Sequence, residues 1–185
     1  HKFGAPKGVA ALYVRRGLTL PNFLHGGGQE GGRRAGTESV LLLAAMGEAA
    51  RIAHAELEPL RTHMSATRER LATLLIDGLG AENVRVNGPA DPAHRLPNTL
   101  SIGLRGVQAS SLLARLADQL AASAGAACHT SHASISAVLR AMEVPVEYAV
   151  GTLRLSSGRH TSMDDIEKAA KLIIAETKRQ LKSDV

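Results

Sequence analysis

The chain has 185 residues, of which 44% are hydrophobic, and a formal net charge of +5 at neutral pH. This length and hydrophobic content suffice to bury the core of one or two compact domains. Basic residues are interspersed with acidic ones, so the charge predicts a solvated surface rather than a nucleic-acid-binding face. With two Phe, two Tyr and no Trp, the chain also lacks the aromatic residues of a base-stacking platform.

Nothing in the sequence indicates a membrane or secretory protein. No apolar run reaches membrane-spanning length, and the start has no signal-peptide pattern. A single cysteine is usual in a reducing compartment. We therefore expect no membrane partner and a cytoplasmic location, with a mitochondrion or plastid also compatible. Because the sequence begins at His1 rather than Met, we expect it to be a piece of a longer polypeptide.

The first residues place a lysine beside a tight turn. His1 and Lys2 precede Gly4 and Pro6, and the apolar residues 9–14 predict a short strand. The ordinary explanation of Lys2 is a solvated surface lysine. A backbone held by Pro6 could instead direct Lys2 into a cleft.

A loop with six glycines, residues 24–37, comes before a long helical pattern. Free backbone N–H groups and the helix dipole favour an anion such as phosphate at such a point. The loop lacks the Gly-Lys-Ser/Thr ending of a Walker motif, and a flexible surface loop explains its composition equally well. The helix begins with Thr37 or Ser39 as its N-cap, and Pro59 interrupts the pattern.

From residue 60 the pattern predicts an α+β module. A helix to about Leu79 is followed by strands at 83–87 and 98–104, a helix at 108–120, two short helices, a strand containing Arg154, and a final helix capped near Ser162. We expect the chain to divide into residues 1–60 and 61–185. An arginine inside a strand is costly unless it meets a carboxylate or phosphate, although a structural ion pair is the commoner explanation of Arg154.

Cys128 is the only cysteine, so it is either buried and inert or present for its thiolate chemistry. Small residues precede it and polar residues follow it, which favours an accessible thiol. A metal site made by Cys128, His129 and His132, with His25 as a fourth ligand, is an alternative. It lacks the second paired cluster that makes zinc signatures convincing.

Four stretches taken together resemble the second half of the cysteine desulfurase and selenocysteine lyase family. They are His1-Lys2 with its turn, Gly26-Gly-Gly-Gln-Glu with Arg34-Ala-Gly-Thr37, Ser123-Ala-Gly-Ala-Ala-Cys128-His, and Leu153-Arg-Leu-Ser-Ser-Gly-Arg159. The family belongs to the class V aminotransferase-like branch of fold type I pyridoxal phosphate enzymes. The resemblance implies an α/β fold, with the end of the large domain followed by a small α+β C-terminal domain that carries the cysteine loop.

The resemblance also implies roles for single residues. Lys2 would bind pyridoxal phosphate as a Schiff base, His1 would help to hold the cofactor, and Thr37 would reach the cofactor phosphate of the neighbouring subunit in a homodimer. Arg154 would bind the substrate carboxylate. Cys128 would take sulfur from L-cysteine, or selenium from L-selenocysteine, leaving L-alanine, and would pass it to an acceptor protein.

One departure from the family pattern limits what the resemblance implies. The family groups that stack on the cofactor ring and supply most phosphate contacts lie upstream of the lysine, outside this sequence. An inactive fragment that serves in dimerisation or partner binding is therefore a second hypothesis. The loop at residues 125–129 resembles the selenocysteine lyase form, without deciding between the two substrates.

Overall fold

The computed structural model describes residues 1–125 and 135–183. The chain forms two compact units, His1–Leu57 and Glu58–Val185. This division follows Leu57, close to the predicted boundary after residue 60. The division shows which residues form a compact unit. The assignment of the two parts to a large and a small domain remains a prediction.

The first unit consists of turns, a 3₁₀ turn at Gln29–Gly32 and helix α1, Val40–Ala55. The strand predicted at residues 9–14 is wrong, because these residues belong to no strand. An apolar run becomes a strand only if a second segment takes up its backbone hydrogen bonds, and no segment within the described residues does so. Within residues 1–57, Ala5 alone is buried.

The second unit is a mixed α/β structure. Its elements are α2 (Leu57–Leu79, beginning at the last residue of the first unit), β1 (Val84–Asn87), β2 (Thr99–Leu104), α3 (Ala109–Leu116), β3 (Ser123–Ala124), α4 (Ala137–Ala141), α5 (Val146–Ala149), β4 (Thr152–Ser156) and α6 (Met163–Ser183). The strands form one antiparallel sheet in the order β1-β2-β4-β3.

The two faces of this sheet differ completely in polarity, because side chains alternate along each strand. One face is apolar and packs with residues of α2, α3 and α6 into the core; its strand residues are Val84, Val86, Leu100, Ile102, Leu104, Ala124, Leu153 and Leu155. The other face, called here the polar sheet face, carries no apolar side chain. Its residues are Arg85, Asn87, Thr99, Ser101, Gly103, Ser123, Thr152, Arg154 and Ser156.

Helix α5 covers one end of the polar sheet face. A Cβ atom at Gly103 would lie 2.8 Å from the Tyr148 carbonyl oxygen, so the absence of a side chain at Gly103 lets the helix approach. The Thr152 hydroxyl donates to the same carbonyl at 2.9 Å. Arg154 and Ser156 lie farther along β4 and are exposed. The polar sheet face is thus closed at Gly103 and open at Arg154.

Helix α6 begins with a capping box of the kind that its sequence predicts. The Ser162 hydroxyl accepts a hydrogen bond from the backbone N–H of Asp165 at 3.1 Å, and the Asp165 carboxylate accepts one from the backbone N–H of Ser162 at 2.9 Å. The Asp165 carboxylate also accepts from the Ser162 hydroxyl at 2.7 Å, and the bonds that it accepts from the backbone N–H and the hydroxyl of Ser162 hold the Asp165 pKa below its ordinary value. The helix start is therefore fixed immediately after the turn that leaves β4.

Candidate active site

The predicted site residues fall into three groups. His1, Lys2 and Thr37 belong to the first unit, and Arg154 belongs to the second. Cys128 lies outside the described residues, as do His129 and His132. The structure therefore describes the lysine turn, the glycine-rich loop and strand β4 with Arg154, each within its own unit.

The lysine turn leaves the side chain of Lys2 free. The backbone N–H of Gly4 donates to the His1 carbonyl at 3.1 Å, and Gly4 has a φ of +98°, which favours glycine. The turn is anchored by Ala5, which is buried. His1 and Lys2 are exposed, and neither side chain forms a hydrogen bond or ion pair with any residue in 1–125 or 135–183. The amine is thus available to a ligand.

The glycine-rich loop is held together by its own side chains. The Gln29 side-chain carbonyl accepts from the backbone N–H of Gly36 at 3.1 Å, and the Asn22 amide donates to the Gly32 carbonyl at 2.6 Å. A Cβ atom at Gly27 would lie 2.6 Å from the Gln29 side-chain oxygen, so a larger residue there would push the Gln29 amide away from Gly36. The loop is therefore an ordered structure rather than the loose linker that composition alone allows.

Thr37 leads from this loop into helix α1. It is exposed and lies three positions before Val40, where the helix begins. Ser39 is the N-cap residue, but its side chain makes no capping hydrogen bond. The first backbone N–H groups of the helix are therefore left without a side-chain acceptor, and the positive end of the helix dipole is open to an anion.

Arg154 occupies the centre of a row that runs across the sheet. Asn87 pairs with Ser101, Ser101 pairs with Arg154, and Arg154 pairs with Ser123. Its neighbours along β4, Leu153 and Leu155, are buried in the core on the opposite face. Arg154 itself is exposed, and among the described residues it has no hydrogen-bond or ion-pair partner. The structural ion pair that would be the commoner explanation is not found in this part of the chain.

The Arg154 side chain borders a cavity of about 290 Å³ at the open end of the polar sheet face, lined by Arg154, Ser123, Ser156, Ala121 and Ala122. The lining contains a cation and two hydroxyl groups but no carboxylate. Such a lining can bind a small anion through charge and hydrogen bonds. Ser123 and Ser156 stand in two of the stretches that carry the family resemblance, but the sequence assigned them no binding role, because a serine in a strand has no recognisable signal until the pairing register is known.

Neither a metal centre nor a membrane segment is found in the described structure. Residues 1–125 and 135–183 contain no group of three or more His, Cys, Asp or Glu side chains that could hold a metal ion. Of the ligands considered for a metal, only His25 lies in the described structure, where it is exposed. No described helix has both the length and the apolar character that crossing a bilayer requires.

Comparison with known proteins identifies relatives over nearly the whole chain. Residues 1–169 match the class-V aminotransferase family. A cysteine desulfurase of Gluconacetobacter diazotrophicus is 40% identical over 169 residues, which cover 91% of this chain and 41% of that protein. The cysteine desulfurase IscS of Clostridium botulinum is 38% identical over 170 residues, covering 90% of this chain and 42% of the relative.

A solved structure that resembles this chain comes from a similar group of proteins. A NifS-like protein superposes with a TM-score of 0.77 and 31% sequence identity, over 95% of this chain and 43% of that protein. The chain thus spans less than half the length of the relatives that it matches.

Proposed function

Because the chain belongs to the class-V aminotransferase family, we propose that it forms the C-terminal part of a pyridoxal phosphate-dependent cysteine desulfurase. The family depends on pyridoxal phosphate and has fold type I, and the mixed helix and sheet structure agrees with that fold. The observation that carries the proposal is that Arg154 has no hydrogen-bond or ion-pair partner among residues 1–125 and 135–183 and borders a cavity whose lining contains no carboxylate. The desulfurase activity is itself part of what we propose, because the relatives are more than twice as long as this chain.

The residues of the first unit fit the cofactor. The amine of Lys2, which has no partner among residues 1–125 and 135–183, can attach pyridoxal phosphate covalently, with His1 beside it. Thr37 and the uncapped start of α1 can bind a phosphate group, which we assign to the cofactor of a neighbouring subunit in a homodimer. When bound, pyridoxal phosphate supplies the electron sink that cleavage at the β-carbon of an amino acid requires.

In the second unit, Arg154 binds the α-carboxylate of the substrate. The planar guanidinium matches a carboxylate with two parallel hydrogen bonds. Strand β4 pairs with β2 on one side and with β3 on the other, so the strand that carries Arg154 lies inside the sheet. The arginine therefore orients the substrate from a rigid element.

Cys128 is the proposed sulfur acceptor, on the basis of the family resemblance of its loop. Its thiolate attacks the substrate sulfur; an S–S bond forms, the C–S bond of cysteine breaks, and the remaining carbon skeleton takes up a proton to give L-alanine. The persulfide then passes its sulfur to an acceptor protein. L-selenocysteine is the alternative substrate, and the cytoplasm is the proposed location.

Two measurements on the natural polypeptide that carries this sequence test the proposal. Added pyridoxal phosphate is expected to give a yellow protein-bound chromophore, which Lys2→Ala abolishes and the matched surface variant Lys7→Ala retains. Cys128→Ala is expected to retain the chromophore but to lose alanine formation from L-cysteine. Loss of the chromophore in Cys128→Ala would make the cysteine structural. Stoichiometric zinc that is lost in His132→Ala would replace the proposal with the metal site.

A specific observation also favours the second hypothesis, a module for dimerisation or partner binding. No residue of α1 is buried, although most of its side chains are apolar. The same unit exposes large hydrophobic side chains, among them Leu12, Tyr13, Phe23, Val40 and Leu41. An exposed apolar surface of this kind marks an interaction site. Sedimentation of the chain as given tests this hypothesis, which requires a concentration-dependent dimer without bound cofactor.

A further inference from the structure

We propose that the hydroxyl groups of Ser101 and Ser123 bind the same substrate carboxylate as Arg154, and that Asn87 positions the hydroxyl of Ser101. This inference rests on the proposed function for the identity of the anion. It adds to that function a binding site made of three adjacent strands, in which serines decide how tightly the carboxylate is held.

The register places the three side chains side by side. Ser101 on β2 and Ser123 on β3 are the direct partners of Arg154 on β4, one on each side. Directly opposite residues of an antiparallel pair have Cβ atoms about 5 Å apart and point to the same face. A ligand held by the guanidinium is therefore within reach of both hydroxyls.

All three side chains have hydrogens to donate and lack an acceptor. Within residues 1–125 and 135–183, no acceptor is hydrogen-bonded to the side chain of Arg154, Ser101 or Ser123. Arginine can only donate, and the polar sheet face contains no carboxylate that could neutralise it. A cluster of donors with no protein acceptor among the described residues suits an anion from outside.

Asn87 gives the Ser101 hydroxyl its direction. The Asn87 amide nitrogen donates to the Ser101 oxygen at 3.2 Å and lies 3.4 Å from the Thr152 hydroxyl oxygen. Asn87 is only 8% exposed, so this contact is shielded from water. A serine oxygen that accepts from Asn87 keeps its own hydrogen free to donate elsewhere. The side of Ser101 away from Asn87 is the side of Arg154.

The number of donors fits a carboxylate. The two oxygens of a carboxylate offer about four lone-pair positions, of which a bidentate arginine uses two. The hydroxyls of Ser101 and Ser123 fill the other two. Because no second cation lies among the residues that line the cavity, the site suits a single carboxylate rather than a dicarboxylate.

Carboxylate binding can be measured on the chain as given, without cofactor or turnover. The probe is sodium acetate, titrated at constant ionic strength against the arginine side-chain N–H signal that is lost in Arg154→Lys. We expect saturable binding in the unsubstituted chain. Ser101→Ala and Ser123→Ala should each weaken it about tenfold, the usual effect of one hydrogen bond to a charged group. Ser111→Ala, an exposed serine of α3, should leave it unchanged.

The positioning role of Asn87 requires a separate comparison. Asn87→Ala should weaken acetate binding in the unsubstituted chain but not in the Ser101→Ala background, because it acts through that hydroxyl. Equal weakening in both backgrounds would mean a general structural role and would overturn the assignment. Circular dichroism of each variant establishes that it is folded.

The outcomes separate this inference from the proposed function. If Ser101→Ala and Ser123→Ala bind acetate as tightly as Ser111→Ala does, the inference is wrong even if Arg154→Lys abolishes desulfuration. If the serine variants bind weakly but the natural polypeptide produces no alanine from cysteine, the anion site stands and the proposed function fails. In the active enzyme, the serine variants should raise KM for cysteine with little change in kcat.

Discussion

At the scale of single residues, two buried threonines differ in whether their hydroxyls are satisfied. Thr67 is fully buried; its hydroxyl contacts the Met64 carbonyl at 3.0 Å and the Ser157 hydroxyl at 2.9 Å. Thr177 on α6 is 2% exposed, and its hydroxyl has no hydrogen-bond partner in the part of the chain that the structure describes. A buried polar atom without a partner destabilises the folded state by its full desolvation cost.

We therefore predict that Thr177→Val, which replaces the hydroxyl with a methyl group of similar size, raises the free energy of unfolding by about 1 kcal/mol. Thr67→Val is the matched control and should lower it by about 1–2 kcal/mol, because it leaves the Ser157 hydroxyl unpaired. Urea denaturation of the three proteins measures both changes. Destabilisation by Thr177→Val equal to that of Thr67→Val would contradict the assignment of an unsatisfied hydroxyl.

Glu176 provides a prediction about pH. Its carboxylate is nearly buried and accepts hydrogen bonds from Arg179 at 2.6 Å and from Gln180 at 3.3 Å, with Arg115 at 3.6 Å. The hydrogen bond from Arg179 is the main cause that lowers the pKa of Glu176, and burial opposes it in part. Since the folded pKa lies below the unfolded one, this stabilisation is complete above the ordinary glutamate pKa of about 4.3 and is lost as the pH falls through the folded pKa.

Glu176→Gln should therefore reduce the free energy of unfolding at neutral pH by about 1 kcal/mol, and the difference from the unsubstituted chain should disappear in acid. Glu167→Gln is a suitable control, because its ion pair with Arg70 at 2.9 Å is solvent-exposed and should contribute little. Unfolding free energies measured at several pH values decide the question. A Glu176→Gln deficit that persists in acid would indicate lost packing rather than lost charge.

At the scale of elements, the close approach of α5 to the sheet depends on one glycine. A Cβ atom at Gly103 would lie 2.8 Å from the Tyr148 carbonyl oxygen and 2.9 Å from the Tyr148 Cβ. The neighbour in the first case is backbone, which cannot move aside by a rotamer change. The contact fixes where the polar sheet face is covered and hence where it stays open around Arg154.

Gly103→Ala should therefore lower the free energy of unfolding by about 1–3 kcal/mol, as overpacking does. Acetate binding should weaken only if the displaced α5 also shifts the strands of the sheet. Gly158→Ala provides the control in the same unit, since no atom lies within 4 Å of a Cβ built there. Thermal unfolding of the two variants measures the contrast. Equal stability of the two would mean that α5 tolerates displacement.

The elements also show which parts of the fold can be predicted from sequence. Helix α6 was predicted together with its cap, because Ser162 and Asp165 signal the start locally and apolar spacing signals the rest. The predicted strand at residues 9–14 failed because strand formation needs a partner that sequence does not identify. Strand β3 has only two residues, so no periodicity in the sequence marks its bounds.

The candidate site divides in the same way. Arg154 was recognisable because an arginine in an apolar strand conflicts with local preference, and such conflicts mark functional positions. Ser101, Ser123 and Asn87 were not recognised, because their importance depends on pairing between strands that are distant in sequence. Residue identity thus singled out Arg154 as a candidate, whereas the row of side chains around it required the register.

At the scale of the whole molecule, the two units differ in how much they bury. Every residue of the two hydrophobic clusters lies beyond Leu57, including Leu75, Ile102, Leu112, Leu153 and Ile173, each essentially inaccessible. Within residues 1–57 only Ala5 is buried. Since burial of apolar surface is the main force that opposes chain entropy, the second unit has the means to fold by itself and the first does not.

We therefore predict that a polypeptide of residues 58–185 unfolds in urea in one cooperative transition, with the secondary structure of a mixed helix and sheet protein. Residues 1–57 prepared alone should show no cooperative transition, because a helix of the length of α1 is marginal in water without a packed face. Circular dichroism against urea concentration distinguishes the two fragments. Absence of a cooperative transition in residues 58–185 would contradict the view that the core supporting the polar sheet face and Arg154 lies entirely within the second unit. A cooperative transition in residues 1–57 would contradict the view that the first unit cannot fold alone.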